Sequence, residues 1–119
     1  MTWLSKLLGR AATKPVAWLD SADLEALLKK QSPPLIVDVR ETGEFNGPLG
    51  HIRQARNIPL GQVPARAQEL LGTGRQIVLV CRSDRRAAMA AKQLLRSGDG
   101  TIAVLRGGMM AWQSRSAPS

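Results

Sequence analysis

Cys81, the only cysteine of the chain, is the residue best placed for nucleophilic chemistry. It follows an uninterrupted apolar run, 77–80, and precedes an alanine-rich segment, 87–95, whose apolar residues recur at helical spacing. The run predicts a strand buried on both faces, and the segment predicts a helix packed on it. A helix start has unpaired N–H groups and the positive end of the helix dipole, so it stabilises both a thiolate and a bound anion. This order favours a reactive anion site over the alternative, a reduced core cysteine at a strand end.

Strands and helices alternate about every twenty residues along the rest of the chain. Apolar runs predict five strands, at 16–19, 35–39, 55–58, 77–80 and 101–105. The alternation predicts a single α/β domain, a five-stranded parallel sheet with helices on both faces. Parallel sheets bind ligands beyond the carboxyl ends of their strands. Three groups of residues are expected at that end: Asp38 with Arg40, the 81–86 loop, and Arg106 with Gly107.

Asp38, Arg40 and His51 are expected to support the site rather than to react. An acid at a buried strand end is most often tied to backbone N–H groups or to an arginine, so Asp38 is interpreted as a structural organiser. His51 lies in a loop rich in glycine and proline and is a candidate general base. Because no carboxylate or second histidine stands at ligand spacing, an imidazole that fixes the loop backbone is the favoured interpretation. One cysteine with one histidine supports neither a disulfide nor a structural zinc site, and no metal or cofactor is expected.

The composition restricts the class of partner. The chain has 119 residues, enough for one domain with its own core, and a formal net charge of +8. That charge favours small anions, an acidic protein, nucleic acid or an anionic membrane. Nucleic acid is not expected, because the four aromatic residues are too scattered to stack bases. No segment has the length of a membrane span and the N-terminus lacks the order of a secretory signal, so a cytoplasmic protein is expected.

The chain divides into an extension, a domain and a tail. Residues 1–15 form an amphipathic N-terminal extension, with Trp3, Leu4, Leu7 and Leu8 on one helical face. Packing on its own domain, or fraying, is the favoured interpretation. Docking on a partner, or contact with a membrane surface, is the alternative. The domain is predicted at 16–115, with a C-terminal tail at 116–119.

Six short motifs lie in order along the chain: IVDVRE at 36–41, EF at 44–45, GHI at 50–52, ARNIPL at 55–60, VCRS at 80–83 and LRGG at 105–108 with Trp112. Together they resemble the single-domain rhodaneses, a family of rhodanese-like sulfurtransferases. Each motif alone is weak evidence, but the ordered set is specific and covers most of the chain. The resemblance implies the family's five-stranded parallel sheet and sulfurtransferase activity. It also implies that Cys81 cycles between a thiol and a persulfide.

The chemistry of a stabilised thiolate suggests a mechanism. Cys81 attacks the outer sulfur of an anionic sulfane donor, such as thiosulfate or a persulfide, and a thiol or cyanide acceptor then removes that sulfur. Backbone N–H groups of 82–86 are expected to stabilise the persulfide. The residues assigned to this anion-binding loop are Arg82, Ser83, Asp84, Arg85 and Arg86. Arg82 and Arg85 are expected to point outward and attract the donor, and Arg86 to point inward and support the loop. A solvated surface charge is the alternative for each arginine.

The chain departs from the rhodanese pattern at three positions. Asp84 and Gln54 stand where the family often has glycine, and Ala87 stands where it often has serine. Aspartate tolerates a left-handed backbone better than most residues, so the loop is still expected to close. The charge of Asp84 would oppose a bound anion, which favours a donor such as a protein persulfide over thiosulfate.

Two other classes of function compete with a sulfurtransferase. The loops of cysteine phosphatases resemble the pattern C-x5-R, in which the arginine is the sixth residue after the cysteine. Here Arg86 is the fifth residue after Cys81, and the sixth is Ala87. The loop is therefore shorter than a phosphate cradle and fits the terminal sulfur of a persulfide. The other competitor is a non-catalytic sulfur carrier or interaction module, docked through residues 1–15, which would turn over small donors poorly.

Overall fold

A computed structural model describes residues 15–116 of the chain. The strands are β1 (Ala17–Leu19), β2 (Leu35–Asp38), β3 (Arg56–Asn57), β4 (Ile77–Val80) and β5 (Ile102–Leu105). The helices are α1 (Ser21–Leu28), α2 (Thr42–Phe45), α3 (Val63–Leu71), α4 (Arg85–Ser97) and α5 (Gly108–Ser116), with a 3-10 turn at Leu60–Gln62. Most of the predicted extension and tail lies outside the described residues, so the predicted domain boundaries stay predictions.

The five strands form one parallel sheet in the order β1-β5-β4-β2-β3. β4 lies at its centre, where Ile77 is in register with Leu35 of β2 and with Ile102 of β5. The predicted α/β fold is confirmed. Since β2, β4 and β5 are neighbours and parallel, the loops that follow them meet at one edge of the sheet.

The core has two layers, one on each face of the sheet. Alternate residues of β4 point to opposite faces, with Ile77 and Leu79 in one layer and Val78 and Val80 in the other. Residues of α3 and α4 fill the first layer, and residues of α1 and α5 fill the second. Three alanines of the predicted alanine-rich helix, Ala87, Ala90 and Ala91, are buried against the sheet, and their small side chains let the α4 backbone come close to it.

Local sequence signals account for the ends of the helices. Asp20 begins α1 through a capping box with Asp23, in which each side chain accepts the backbone N–H of the other residue. The 60–71 segment is divided into a 3-10 turn and then α3, because Pro64 has no N–H and fits only in a first helical turn. Within residues 15–116, none of the helices has both the length and the apolar character needed to cross a lipid bilayer.

Candidate functional site

Cys81 lies directly after β4, at the start of the loop that leads into α4. Its side chain is only 1% exposed. Its Sγ accepts a hydrogen bond from the backbone N–H of Ala87, at a distance of 3.3 Å. Ala87 is the third residue of α4, so the sulfur binds one of the N–H groups that a helix start leaves unpaired. The prediction placed the donors at 82–86. For the resting sulfur, the observed donor is one residue further along.

The cysteine loop is attached by its main chain to the 107–110 segment, which comprises the end of the β5–α5 turn and the start of α5. The N–H of Met109 donates to the carbonyl oxygen of Cys81 at 2.9 Å, and the N–H of Met110 donates to that of Arg82 at 3.1 Å. Between the two segments lies Gly108, which has a φ of +52°. A Cβ at this position would overlap the carbonyl oxygen of Cys81. Only glycine allows this close approach of the two backbones.

Asp84 closes the loop in a way that the sequence does not predict. Its φ and ψ are −126° and −38°, and no residue other than glycine has a positive φ in the described part of the chain. The left-handed backbone considered for this position is therefore not adopted. The carboxylate of Asp84 instead accepts the N–H of Gly107 at 2.7 Å. This is the third hydrogen bond between the loop and the 107–110 segment, beside those from Met109 and Met110.

Asp38 and Arg40 form a buried ion pair at the end of β2. Their side chains are 0% and 1% exposed, and the Nη2 of Arg40 lies 2.8 Å from a carboxylate oxygen of Asp38. The guanidinium also donates to the backbone oxygens of Glu44 at 3.1 Å and Gly50 at 2.7 Å. The amide of Asn57 donates to the backbone oxygens of Asp38 and Arg40. This network fixes both ends of the 41–50 loop to the sheet.

Arg86 pairs with Glu44 and remains partly exposed. Its two terminal nitrogens lie 2.6 and 2.9 Å from the two carboxylate oxygens of Glu44, a bidentate arrangement. The hydrogen bond from Arg86 lowers the pKa of Glu44 to about 2, and the same bond raises the pKa of Arg86. The pair joins the 41–50 loop to the start of α4, so the arginine is committed to a structural contact.

The ring of His51 is held against its own loop. Its Nδ1 lies 2.8 Å from the carbonyl oxygen of Phe45, and because a carbonyl only accepts, this nitrogen carries the proton. The ring also stacks on that of Phe45, with centroids 3.6 Å apart and planes 6° from parallel. Among the described residues, these contacts connect His51 to the loop backbone and not to Cys81. The ring is placed to hold the loop.

Exposed cations surround the cysteine loop. Arg82 and Arg85 are solvent-exposed, and so is Arg106, whose guanidinium lies 4.7 Å from the ring centroid of Trp18. A pocket of about 230 Å³ opens beside Arg82, and its lining residues are Arg40, Glu44, Pro48, Leu49 and Arg82. The surface around the cysteine loop therefore carries exposed positive charge, which favours anions.

A model of a known protein family matches most of the chain, including β2, β4 and the cysteine loop. Residues 20–115 match the model of the rhodanese-like domain. The chain belongs to the rhodanese-like domain family. The expected family membership is thus confirmed over most of the chain.

Similar proteins support the assignment of this rhodanese-like chain. It is 33% identical over 100 residues to a sulfurtransferase of Allochromatium vinosum, covering 84% of this chain and 91% of that protein. It is 42% identical over 77 residues to the protein YqhL of Bacillus subtilis, and the matched residues cover 65% of this chain and only 59% of YqhL. The structure resembles a rhodanese-like domain protein from Staphylococcus aureus, with a TM-score of 0.73, 27% identity and coverage of 82% of this chain and 91% of that one.

Three features of this rhodanese-like site were missed from the sequence. The role of Glu44 as the partner of Arg86 could not be predicted, because nothing in the local pattern links two residues 42 positions apart. The N–H of Ala87 was missed because the start of a helix is the least reliable part of a prediction from sequence. The third is Asn57, whose amide donates to the backbone oxygens of Asp38 and Arg40. Its one signal in the sequence is an amide side chain at the end of a strand, which the fold places beside Asp38.

Replacing Glu44 with glutamine is expected to lower the free energy of unfolding at neutral pH by about 1 kcal/mol, since the partly exposed pair is screened by solvent. The pKa of Glu44 is about 2 in the folded protein against the ordinary 4.5, so its ionisation stabilises the fold above pH 4.5. That contribution falls as the pH drops from 4.5 towards 2. Urea unfolding of both proteins between pH 7 and pH 2.5 measures the difference.

Glu69→Gln is the control, because Glu69 pairs with Arg66 on the open surface of α3. A smaller effect is expected there. A difference between the Glu44 variant and the natural chain that stayed constant over the whole pH range would contradict the assignment.

Proposed function

We propose that this chain is a sulfurtransferase that moves sulfane sulfur from an anionic donor to a thiol or cyanide acceptor through a persulfide on Cys81. The observation that carries the proposal is the bond from the N–H of Ala87 to the Sγ of Cys81 at the start of α4. A helix start stabilises negative charge on that sulfur, whether it is a thiolate or the inner sulfur of a persulfide. The sulfurtransferase of Allochromatium vinosum gives independent support at the level of sulfur transfer.

The reaction divides into two displacements at sulfur. In the first, the thiolate of Cys81 attacks the outer sulfur of thiosulfate. A new S–S bond forms, and the old one breaks with its electron pair leaving on sulfite. In the second, cyanide or an acceptor thiolate attacks the outer sulfur of the persulfide. Thiocyanate or a new persulfide leaves, and the thiolate of Cys81 is regenerated. The two steps need no external oxidant or reductant.

The charges around the loop support this division of roles. Arg82 and Arg85 are exposed and serve to attract the donor. Arg86 is held by Glu44 at 2.6 and 2.9 Å, which leaves it to support the loop. This engagement also disfavours a cysteine phosphatase, because Arg86, the arginine next to the position that would hold a phosphate bidentately, is already paired.

Intact-protein mass spectrometry after incubation with thiosulfate tests the proposal. The protein is expected to gain one sulfur atom and to lose it when cyanide or a thiol is added. A parallel incubation with glutathione persulfide separates the choice of donor from the chemistry itself. If neither donor left an adduct on a folded protein whose Cys81 still reacts with iodoacetamide, the sulfurtransferase would be rejected. A persulfide that formed but turned over only with a protein acceptor would favour the sulfur-carrier alternative.

A further inference from the structure

Asp84 occupies the N-cap position of α4 but does not cap the helix. An N-cap aspartate ordinarily accepts an N–H from the second or third helical residue, which here are Arg86 and Ala87. The side chain of Asp84 makes no such bond. Its Oδ1 instead accepts the N–H of Gly107 at 2.7 Å, from a residue 23 positions away.

This diversion leaves the helix donor to the sulfur. The N–H of Ala87, at the position that an N-cap carboxylate commonly binds, donates to the Sγ of Cys81 at 3.3 Å. A thiolate and a carboxylate are both anions and would compete for this single donor. The bond to Gly107 holds the carboxylate away from the helix start, so the competition does not arise.

Gly107, which donates this hydrogen bond to Asp84, stands at a position that favours glycine. Its φ of +77° is one that side-chain-bearing residues rarely adopt, and an added Cβ would lie 2.6 Å from the Cβ of Ala111. The neighbouring residue, Gly108, already packs against the carbonyl of Cys81. The Asp84 bond therefore extends an existing attachment to the far end of the same loop.

We propose that Asp84 is a positioning residue, which fastens the end of the cysteine loop to the β5–α5 turn and so reserves the N–H of Ala87 for the sulfur of Cys81. The functional part of this proposal rests on the proposed sulfur transfer, and the attachment itself does not. The charge of Asp84 is then a by-product of a hydrogen-bonding role rather than a filter on the donor.

Two variants separate the hydrogen bond from the charge. D84N and D84A both remove the negative charge, but only asparagine keeps an oxygen that can accept the N–H of Gly107. The first readout is amide hydrogen exchange of Gly107 and Ala87 by NMR, with amides of β4 as the control for global stability. The second readout is the rate at which thiosulfate adds sulfur to Cys81, measured by mass spectrometry.

Exchange of the Gly107 amide is expected to be about tenfold faster in D84A than in D84N, which is roughly the contribution of one hydrogen bond to an exposed loop. Sulfur uptake is expected to be about tenfold slower in D84A than in D84N, because the loop that carries Cys81 is no longer fastened to Gly107 at its far end. Equal exchange in the two variants, or equal sulfur uptake, would overturn the positioning role. If the natural chain took up sulfur neither from thiosulfate nor from glutathione persulfide, the proposed function would fail, and amide exchange alone would decide whether Asp84 fastens the loop.

Discussion

Replacing Cys81 with serine is expected to abolish sulfur uptake and turnover, with a loss of about 10⁴-fold or more. A serine hydroxyl remains protonated at neutral pH and does not form a persulfide. The fold is expected to survive, because the two side chains are close in size and a hydroxyl oxygen can still accept the N–H that Ala87 gives to sulfur. Mass spectrometry and a thiocyanate assay measure the activity, and thermal unfolding measures the stability.

The control is Met89→Leu on the same segment, since Met89 is 46% exposed on α4 and takes no part in the site. That variant is expected to take up sulfur at the natural rate. Sulfur transfer retained by Cys81→Ser in a protein of confirmed mass would refute the mechanism, because the persulfide has no other cysteine on which to form.

Replacing Gly108 with alanine is expected to lower the free energy of unfolding by about 3 to 5 kcal/mol and to disable the site at the same time. The added Cβ would overlap the carbonyl oxygens of Cys81 and Ser83, and both belong to backbone that must move to admit it. Moving that backbone also displaces the sulfur from the start of α4. Urea unfolding and the rate of sulfur uptake measure the two effects.

Gly74→Ala is the matched control for this variant. Gly74 has a φ of +69°, similar in kind to the +52° of Gly108, but a Cβ added there would meet nothing within 4 Å. Its substitution therefore carries only the backbone strain, about 1 to 2 kcal/mol, and leaves sulfur uptake in place. Equal losses of stability in the two variants would show that the close contact of Gly108 with the cysteine loop contributes nothing.

The fold could be predicted from the sequence because its signals are local. Each inner strand is a short apolar run, and the alternation with helices admits few topologies other than a parallel sheet. The same alternation predicted that Asp38 and Cys81 would lie at one edge, since both follow buried neighbouring strands. Position along a strand and order along the chain were sufficient to predict the sheet and the edge at which the two residues lie.

The side-chain geometry of the site could not be predicted in the same way. The pairing of Arg86 with Glu44 depends on how the 41–50 loop packs against α4, and no periodicity reports that contact. Asp84 carried a misleading signal, because aspartate before a helix ordinarily predicts a cap and here bonds to Gly107 instead. Both contacts join segments that are distant in sequence, and only the folded sheet brings them together.

The attachment of the cysteine loop determines which of its side chains can change during evolution of rhodanese-like chains. The bonds that hold the loop come from main-chain groups, from Asp84 and from the pair of Arg86 with Glu44, and the sulfur also binds a main-chain N–H. Within residues 15–116, the exposed side chains of Arg82, Ser83 and Arg85 make no contact that fixes the loop. These three positions can therefore change by mutation while the sulfur stays in place. Under the proposed function, the preference for a sulfur donor can then change while the position of Cys81 does not.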